Sequence, residues 1–90
     1  MTEDRVMMIK RLRMRSMRRG IKEMDLILSA FAEAKLDGLS DADLTLYDTL
    51  LTENDHDLYG WIGGQFAVPE RYRALIAQIS ALAEGVTRPA

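Results

Sequence analysis

Cysteine is absent from the 90 residues. That excludes disulfides, thiolate metal sites and cysteine nucleophiles. A lone histidine, His56, leaves no multi-histidine metal site. Two prolines and six glycines are too few for a turn-rich β-sandwich. Only six residues are aromatic: one Trp, three Tyr and two Phe. No apolar run approaches the roughly 18 residues of a membrane span. What is present is ordinary for a globular chain, 48% apolar and 29% charged, which excludes wholesale disorder. The length suits one domain with a thin core.

The net charge of −2 hides an asymmetry. Residues 1–23 carry eight cations against three anions; residues 24–90 carry four against eleven. The split suggests a basic docking surface on an acidic body.

Nowhere do apolar and polar residues alternate over a strand's length, so the chain reads as helical throughout. The first helix is expected from about Arg5 to Arg19. Met8 and Leu12, less regularly Ile9 and Met17, line one face, and Gly20 makes a left-handed exit. The second spans about Lys22 to Leu36, with Met24, Ile27, Leu28 and Phe31 spaced i, i+3, i+4, i+7 and Asp37-Gly38 ending it. Ser40 caps a third helix with a stripe of Leu44, Tyr47 and Leu51, widened by Leu46 and Leu50. Asn54 caps a short fourth helix holding Leu58, Trp61 and Ile62, stopped by Gly63-Gly64. Pro69 opens the fifth, whose stripe is Tyr72, Leu75, Ile76, Ile79 and Leu82. Gly85 is expected to end it, leaving residues 85–90 as a frayed tail on an ordered core of about 5–84. The fold class is all-α: one domain over 1–90, a small antiparallel up-and-down bundle of about five helices.

Little here supports catalysis. Gly60, Gly63 and Gly64 follow no strand, so they make no dinucleotide fingerprint. The serines have no histidine partner but His56. Asp55-His56-Asp57 has metal-ligand residue types, but neighbours on a helix do not share a face, so a helix start with exposed polar side chains is the better reading. Tyr59, Trp61 and Phe66 could stack a base or a flavin ring; in a chain with so few aromatics they are assigned to the core. The six methionines are read as gap-filling core or interface residues.

The basic segment from Lys10 to Lys22 stands out. Arginines at 11, 13, 15, 18 and 19 cannot share one helical face, so they wrap the helix. They could contact phosphates of a nucleic acid or dock on an acidic protein surface. At the corner, Arg19, Gly20 and Glu23 bring a guanidinium and a carboxylate to one edge. The pair either fixes the corner or projects into a partner.

Arg19-Gly20-Ile21-Lys22-Glu23 matches the Arg-Gly-x-x-Glu signature of the succinate dehydrogenase FAD assembly factors, the SdhE family. The resemblance extends from Leu12 to Phe31. It continues at Leu39-Ser40-Asp41, which is similar to that family's third-helix start. Asp55-His56-Asp57-Leu58-Tyr59-Gly60-Trp61 resembles its D-x-D-L-x-x-W block. Together the matches cover roughly residues 5 to 80. Met14 and Met17 stand where aromatic residues are common in the family.

The resemblance implies a small bundle of about five helices. It implies a dedicated chaperone that binds the flavoprotein subunit of succinate dehydrogenase and, in some members, of fumarate reductase. Such a factor promotes covalent attachment of FAD to a histidine of that subunit, and the flavin bond itself forms autocatalytically there. On this resemblance Arg15, Arg18, Arg19, Gly20, Ile21, Lys22 and Glu23 form the partner-binding edge, and Gly20 allows close backbone approach. Asp55, Asp57, Leu58 and Trp61 are mainly structural. The chain is then no enzyme, binds no cofactor or metal of its own, and enters no membrane. Its expected compartment is the bacterial cytoplasm or, in a eukaryote, the mitochondrial matrix. The alternative is a small nucleic-acid-binding protein using the basic first helix.

Overall fold

A computed structural model of the chain describes residues 3–87. Among them are five α-helices and no strand: α1 Arg5–Arg15, α2 Lys22–Lys35, α3 Asp41–Leu50, α4 Asp55–Ile62 and α5 Arg73–Thr87. Short 3-10 turns, Leu36–Gly38 and Glu70–Tyr72, follow α2 and precede α5. The expected all-α bundle is what forms.

Three helix starts are fixed by side chains that accept an orphan backbone N–H. The Asp4 carboxylate accepts from Met7 N at 2.8 Å, Ser40 Oγ from Asp43 N at 3.1 Å, and Asn54 Oδ1 from His56 N at 2.8 Å. The last two match the caps expected for the third and fourth helices. Two helix ends fall elsewhere than expected. α1 stops at Arg15, four residues before Arg19. α5 runs through Gly85 to Thr87, because one glycine costs a helix only about 1 kcal/mol and does not break it. Of the expected tail, residues 88–90 lie outside the described residues.

α2 is the hub. It packs most extensively on α5 and also touches α1 and α4. Its stripe of Met24, Ile27, Leu28 and Phe31 is buried. Around it close Ile9 and Leu12 of α1, Leu44, Tyr47 and Leu50 of α3, Leu58 of α4, and Leu75, Ile76 and Ile79 of α5. Each such side chain contributes about 1.5–3 kcal/mol relative to leaving it in water. The Phe31 and Tyr47 rings meet at 5.5 Å and Trp61 rests on Tyr72 at 5.7 Å, both tilted. Trp61 is half-buried against the core. Tyr59 and Phe66, expected inside, are 40% and 52% exposed. The loop after α4 explains Phe66. Gln65 and Phe66 donate their backbone N–H groups to Gly60 O at 2.8 and 3.1 Å, which folds the Phe66 ring over Gly60 from outside. A Cβ on Gly60 would come within 2.1 Å of that ring.

Among the described residues no helix is long and apolar enough to cross a membrane.

Candidate functional site

The corner between α1 and α2 is tied at four places. Ser16, fully buried, donates its hydroxyl proton to Leu12 O at 2.8 Å. Its oxygen lies 2.6 Å from the Tyr47 hydroxyl, so Tyr47 is the donor of that pair. Burial pushes the Tyr47 phenol up to about 12, which keeps it a neutral donor. The end of α1 is thereby pinned to α3.

The left-handed residue of the corner is Arg18, with φ 55°, and not Gly20. The αL conformation is disfavoured for a side chain with a Cβ. Here the Arg18 N–H donates to Asp25 Oδ1 at 2.7 Å, and the chain can turn early enough to reach α2.

Arg19 folds inward. Its Nε and Nη2 sit 2.9 and 2.8 Å from Asp55 Oδ1. Its Nη1 donates to Arg15 O at 3.1 Å and Nη2 to Leu51 O at 3.3 Å. The other oxygen of the same carboxylate, Asp55 Oδ2, accepts the Gly20 N–H at 2.7 Å. Asp55 also stands in the first turn of α4, where a carboxylate suits the positive helix end. Only 13% of the Arg19 and 19% of the Asp55 side chain is exposed. Of the two readings of the corner, an Arg19–Glu23 pair does not form, because Asp55 takes the guanidinium. A Cβ at position 20 would stand 3.0 Å from Asp55 Oδ2, so Gly20 permits a close approach within its own chain.

That lock presents Ile21, Lys22 and Glu23. Ile21 is extended, half-buried against the core, and precedes the first turn of α2. Lys22 and Glu23 are exposed and make no ion pair among the described residues. Glu23 borders a shallow groove of about 440 Å³. Its floor and walls come from Ile27 of α2, Tyr59 and Ile62 of α4, Gly63 and Gly64 just after it, and Ser80 and Glu84 of α5.

The first helix differs from the expected free basic surface. Arg5 reaches Asp41 Oδ1 at 2.7 Å and the carbonyls of Asp37 and Leu39. Arg13 pairs with Asp37 at 2.9 Å. Arg11 holds both oxygens of Asp48 at 3.0 Å and both oxygens of Glu3 at 2.9 Å. Arg15 completes the cluster on Asp48. Hydrogen bonds from Arg11 hold the Asp48 carboxyl below its ordinary range; partial burial opposes this, and the charges of Arg11 and Arg15 add to it. Five of the eight cations in residues 1–23 are thus neutralised internally. Lys10, Arg18 and Lys22 make no ion pair among the described residues.

Of the seven residues on the expected edge, the structure brings Arg18 to Glu23 together at the corner and turns Arg15 toward α3. Sequence reasoning missed Asp55 as the partner of Arg19 and Gly20, and it missed the groove. The only available signal for the first was an acidic residue opening the second signature block. Among the described residues, no group of three His, Asp or Glu could hold a metal ion.

Comparison with known proteins bears on what this corner serves. Residues 10–83 match the family described as the flavinator of succinate dehydrogenase. A protein of Meyerozyma guilliermondii, succinate dehydrogenase assembly factor 2, mitochondrial, is 47% identical over 66 residues, 70% of this chain and 49% of that one. The protein of the same name from Schizosaccharomyces pombe is 40% identical over 72 residues, 80% of this chain and 52% of its own length. The FAD assembly factor SdhE of Legionella pneumophila is 45% identical over 47 residues, 52% of this chain and 60% of that protein. The chain spans about half the length of the fungal relatives it matches. The matched residues include the whole corner, Asp55 and all of the groove's lining but Glu84, and the chain belongs to the family of flavinators of succinate dehydrogenase.

Proposed function

We propose that this chain binds the flavoprotein subunit of succinate dehydrogenase and promotes covalent attachment of FAD to it, acting as an assembly factor and not as a catalyst. The observation that carries the reading is the Arg19–Asp55–Gly20 lock inside the family's signature. It spends the arginine and the glycine on holding the corner and leaves the side chains of Glu23, Lys22 and Arg18 exposed and without an ion pair among the described residues. A rigid frame around a few uncompensated charges is what specific docking needs. Such a factor requires no nucleophile or bound flavin of its own, since the flavin chemistry belongs to the subunit it docks on. The compartment would be that of its partner: the mitochondrial matrix in a eukaryote, the cytoplasm in a bacterium. A fumarate reductase flavoprotein is a second partner to test in the same way.

Binding of nucleic acid is the weaker reading. It relied on a run of free arginines, and Arg5, Arg11, Arg13, Arg15 and Arg19 all hold carboxylates of their own chain.

The test is a flavinylation assay. Apo flavoprotein subunit is incubated with FAD, with and without this protein, then denatured, and in-gel flavin fluorescence reads the covalent product. Wild type should accelerate labelling severalfold, and Glu23→Ala should lose the acceleration while unfolding at the same urea concentration as wild type. No acceleration together with no complex on size exclusion overturns the reading.

A further inference from the structure

The groove beside Glu23 offers mainly acceptors; among the described residues its one uncommitted side-chain donor is the exposed Tyr59 hydroxyl. Glu23 and Glu84 contribute carboxylates that make no ion pair among the described residues. Ser80 has committed its hydroxyl proton to Ile62 O at 2.5 Å, which leaves its oxygen as an acceptor. The glycines at the rim have spent their N–H groups too, Gly63 on Tyr59 O at 2.9 Å and Gly64 on Trp61 O at 3.3 Å. An anion would meet two carboxylates and a single hydroxyl donor, that of Tyr59. The remaining walls are apolar or aromatic: Ile27 and Ile62 below, and the exposed Tyr59 ring at the side.

Acceptors at the ends, an apolar floor and one ring face describe the complement of a single side chain. Guanidinium is planar and carries five N–H donors in a fork. It is weakly hydrated, and it stacks on aromatic faces while its methylene stem covers apolar surface. An ammonium would satisfy the carboxylates but gain less from the ring and the floor.

We infer that this groove receives an arginine side chain projecting from the flavoprotein partner, with Glu23 and Glu84 accepting its N–H groups and Tyr59 stacked on its plane. The inference rests on the docking role proposed above and adds to the edge a pocket built from three helices. Glu84 and Tyr59, outside the Arg-Gly-x-x-Glu signature, become specificity-determining residues for the partner.

The experiment measures association and dissociation of purified apo flavoprotein subunit on immobilised wild type and variants. Glu84→Lys should weaken binding at least tenfold, mainly through faster dissociation, since a seated side chain is lost and not only long-range attraction. Tyr59→Leu should weaken it about three- to tenfold, and Tyr59→Phe, which keeps the ring, should remain within about twofold. Both positions are exposed at the surface, and circular dichroism confirms the fold of each variant. Wild-type binding with either Glu84→Lys or Tyr59→Leu unchanged overturns the arginine pocket and leaves the docking edge standing. An effect of Glu84→Lys confined to the association rate also overturns it, because steering by charge would suffice. Absence of any complex with wild type removes the docking role and the pocket together.

Discussion

Two arginine-bearing regions adjoin in this chain, and they differ in what their charges face. Along α1, Arg5, Arg11, Arg13 and Arg15 each hold a carboxylate, from α3, from the turn before it, or from residue 3. At the corner that follows, one arginine is locked inside while Arg18, Lys22 and Glu23 have no ionic partner among the described residues. The first region uses charge to dock one helix on another. The second uses one partly buried pair to hold other charges outward. Net charge over a stretch of sequence therefore does not report available charge. The +5 of residues 1–23 reduces to a few uncompensated groups once Asp37, Asp41, Asp48 and Asp55 are placed.

The sharpest way to break the comparison is Asp55→Ala. It leaves a guanidinium that is 13% exposed without its anion and frees the Gly20 N–H. Removing one partner of a pair buried this far costs about 3 kcal/mol. The urea midpoint should fall accordingly, and stimulation of flavinylation should fall with it even at urea-free conditions where the variant is folded. Arg19→Ala in the Asp55→Ala background should restore part of the lost stability, because the stranded charge goes too. If the double variant is no more stable than Asp55→Ala, the pair is not what holds the corner.

How far the sequence discloses this arrangement depends on the distance between the residues concerned. The α2 stripe of Met24, Ile27, Leu28 and Phe31 is a local pattern, and it is buried as its spacing demands. The Ser40 and Asn54 caps are likewise decided within three residues. Arg19 and Asp55 lie 36 positions apart, and nothing local distinguishes Asp55 from Glu23 as the anion. The same limit hides the carboxylates that neutralise α1. It hides the pairing of Ser16 with Tyr47, which buries a serine that composition would leave at the surface. Phe66 is exposed for a reason of backbone geometry, the loop returning to Gly60, that apolar character alone does not reveal. The corner's glycine misleads for the opposite reason. Gly20 is needed where a carboxylate approaches, and the left-handed turn falls to Arg18.

A smaller effect is expected on the paired side. Asp48→Asn removes the anion shared by Arg11 and Arg15, whose side chains are about a third exposed, so the cost is about 1 kcal/mol. The sign with pH follows from the lowered Asp48 carboxyl. A carboxyl held below its unfolded value of about 4 stabilises fully above that pH, and the contribution is lost as pH falls through the folded value. Wild type and variant should thus differ in urea midpoint at pH 7 and converge well below pH 4. Retention on heparin should rise in the variant, since Arg15 loses its carboxylate while Arg11 keeps only Glu3. Equal differences at both pH values would mean that shape, and not charge, is what Asp48 supplies.

The smallest effect separates stability from docking at one position. Arg18 adopts φ 55° with its side chain exposed and its N–H bound to Asp25. Glycine takes that conformation without the Cβ conflict, worth about 1–2 kcal/mol, and gives back about 0.5–1 kcal/mol of it through the greater freedom of the unfolded chain. Arg18→Gly should therefore gain about 0.5–1 kcal/mol, a few degrees in Tm for a domain this size. The same change deletes one of the uncompensated cations beside Glu23. If that cation contacts the flavoprotein subunit, affinity falls while Tm rises, and the two readouts move in opposite directions. If affinity is unchanged, Arg18 serves only the turn, and the docking charges reduce to Lys22 and Glu23. A lower Tm would mean that the arginine side chain stabilises the corner by more than its backbone conformation costs.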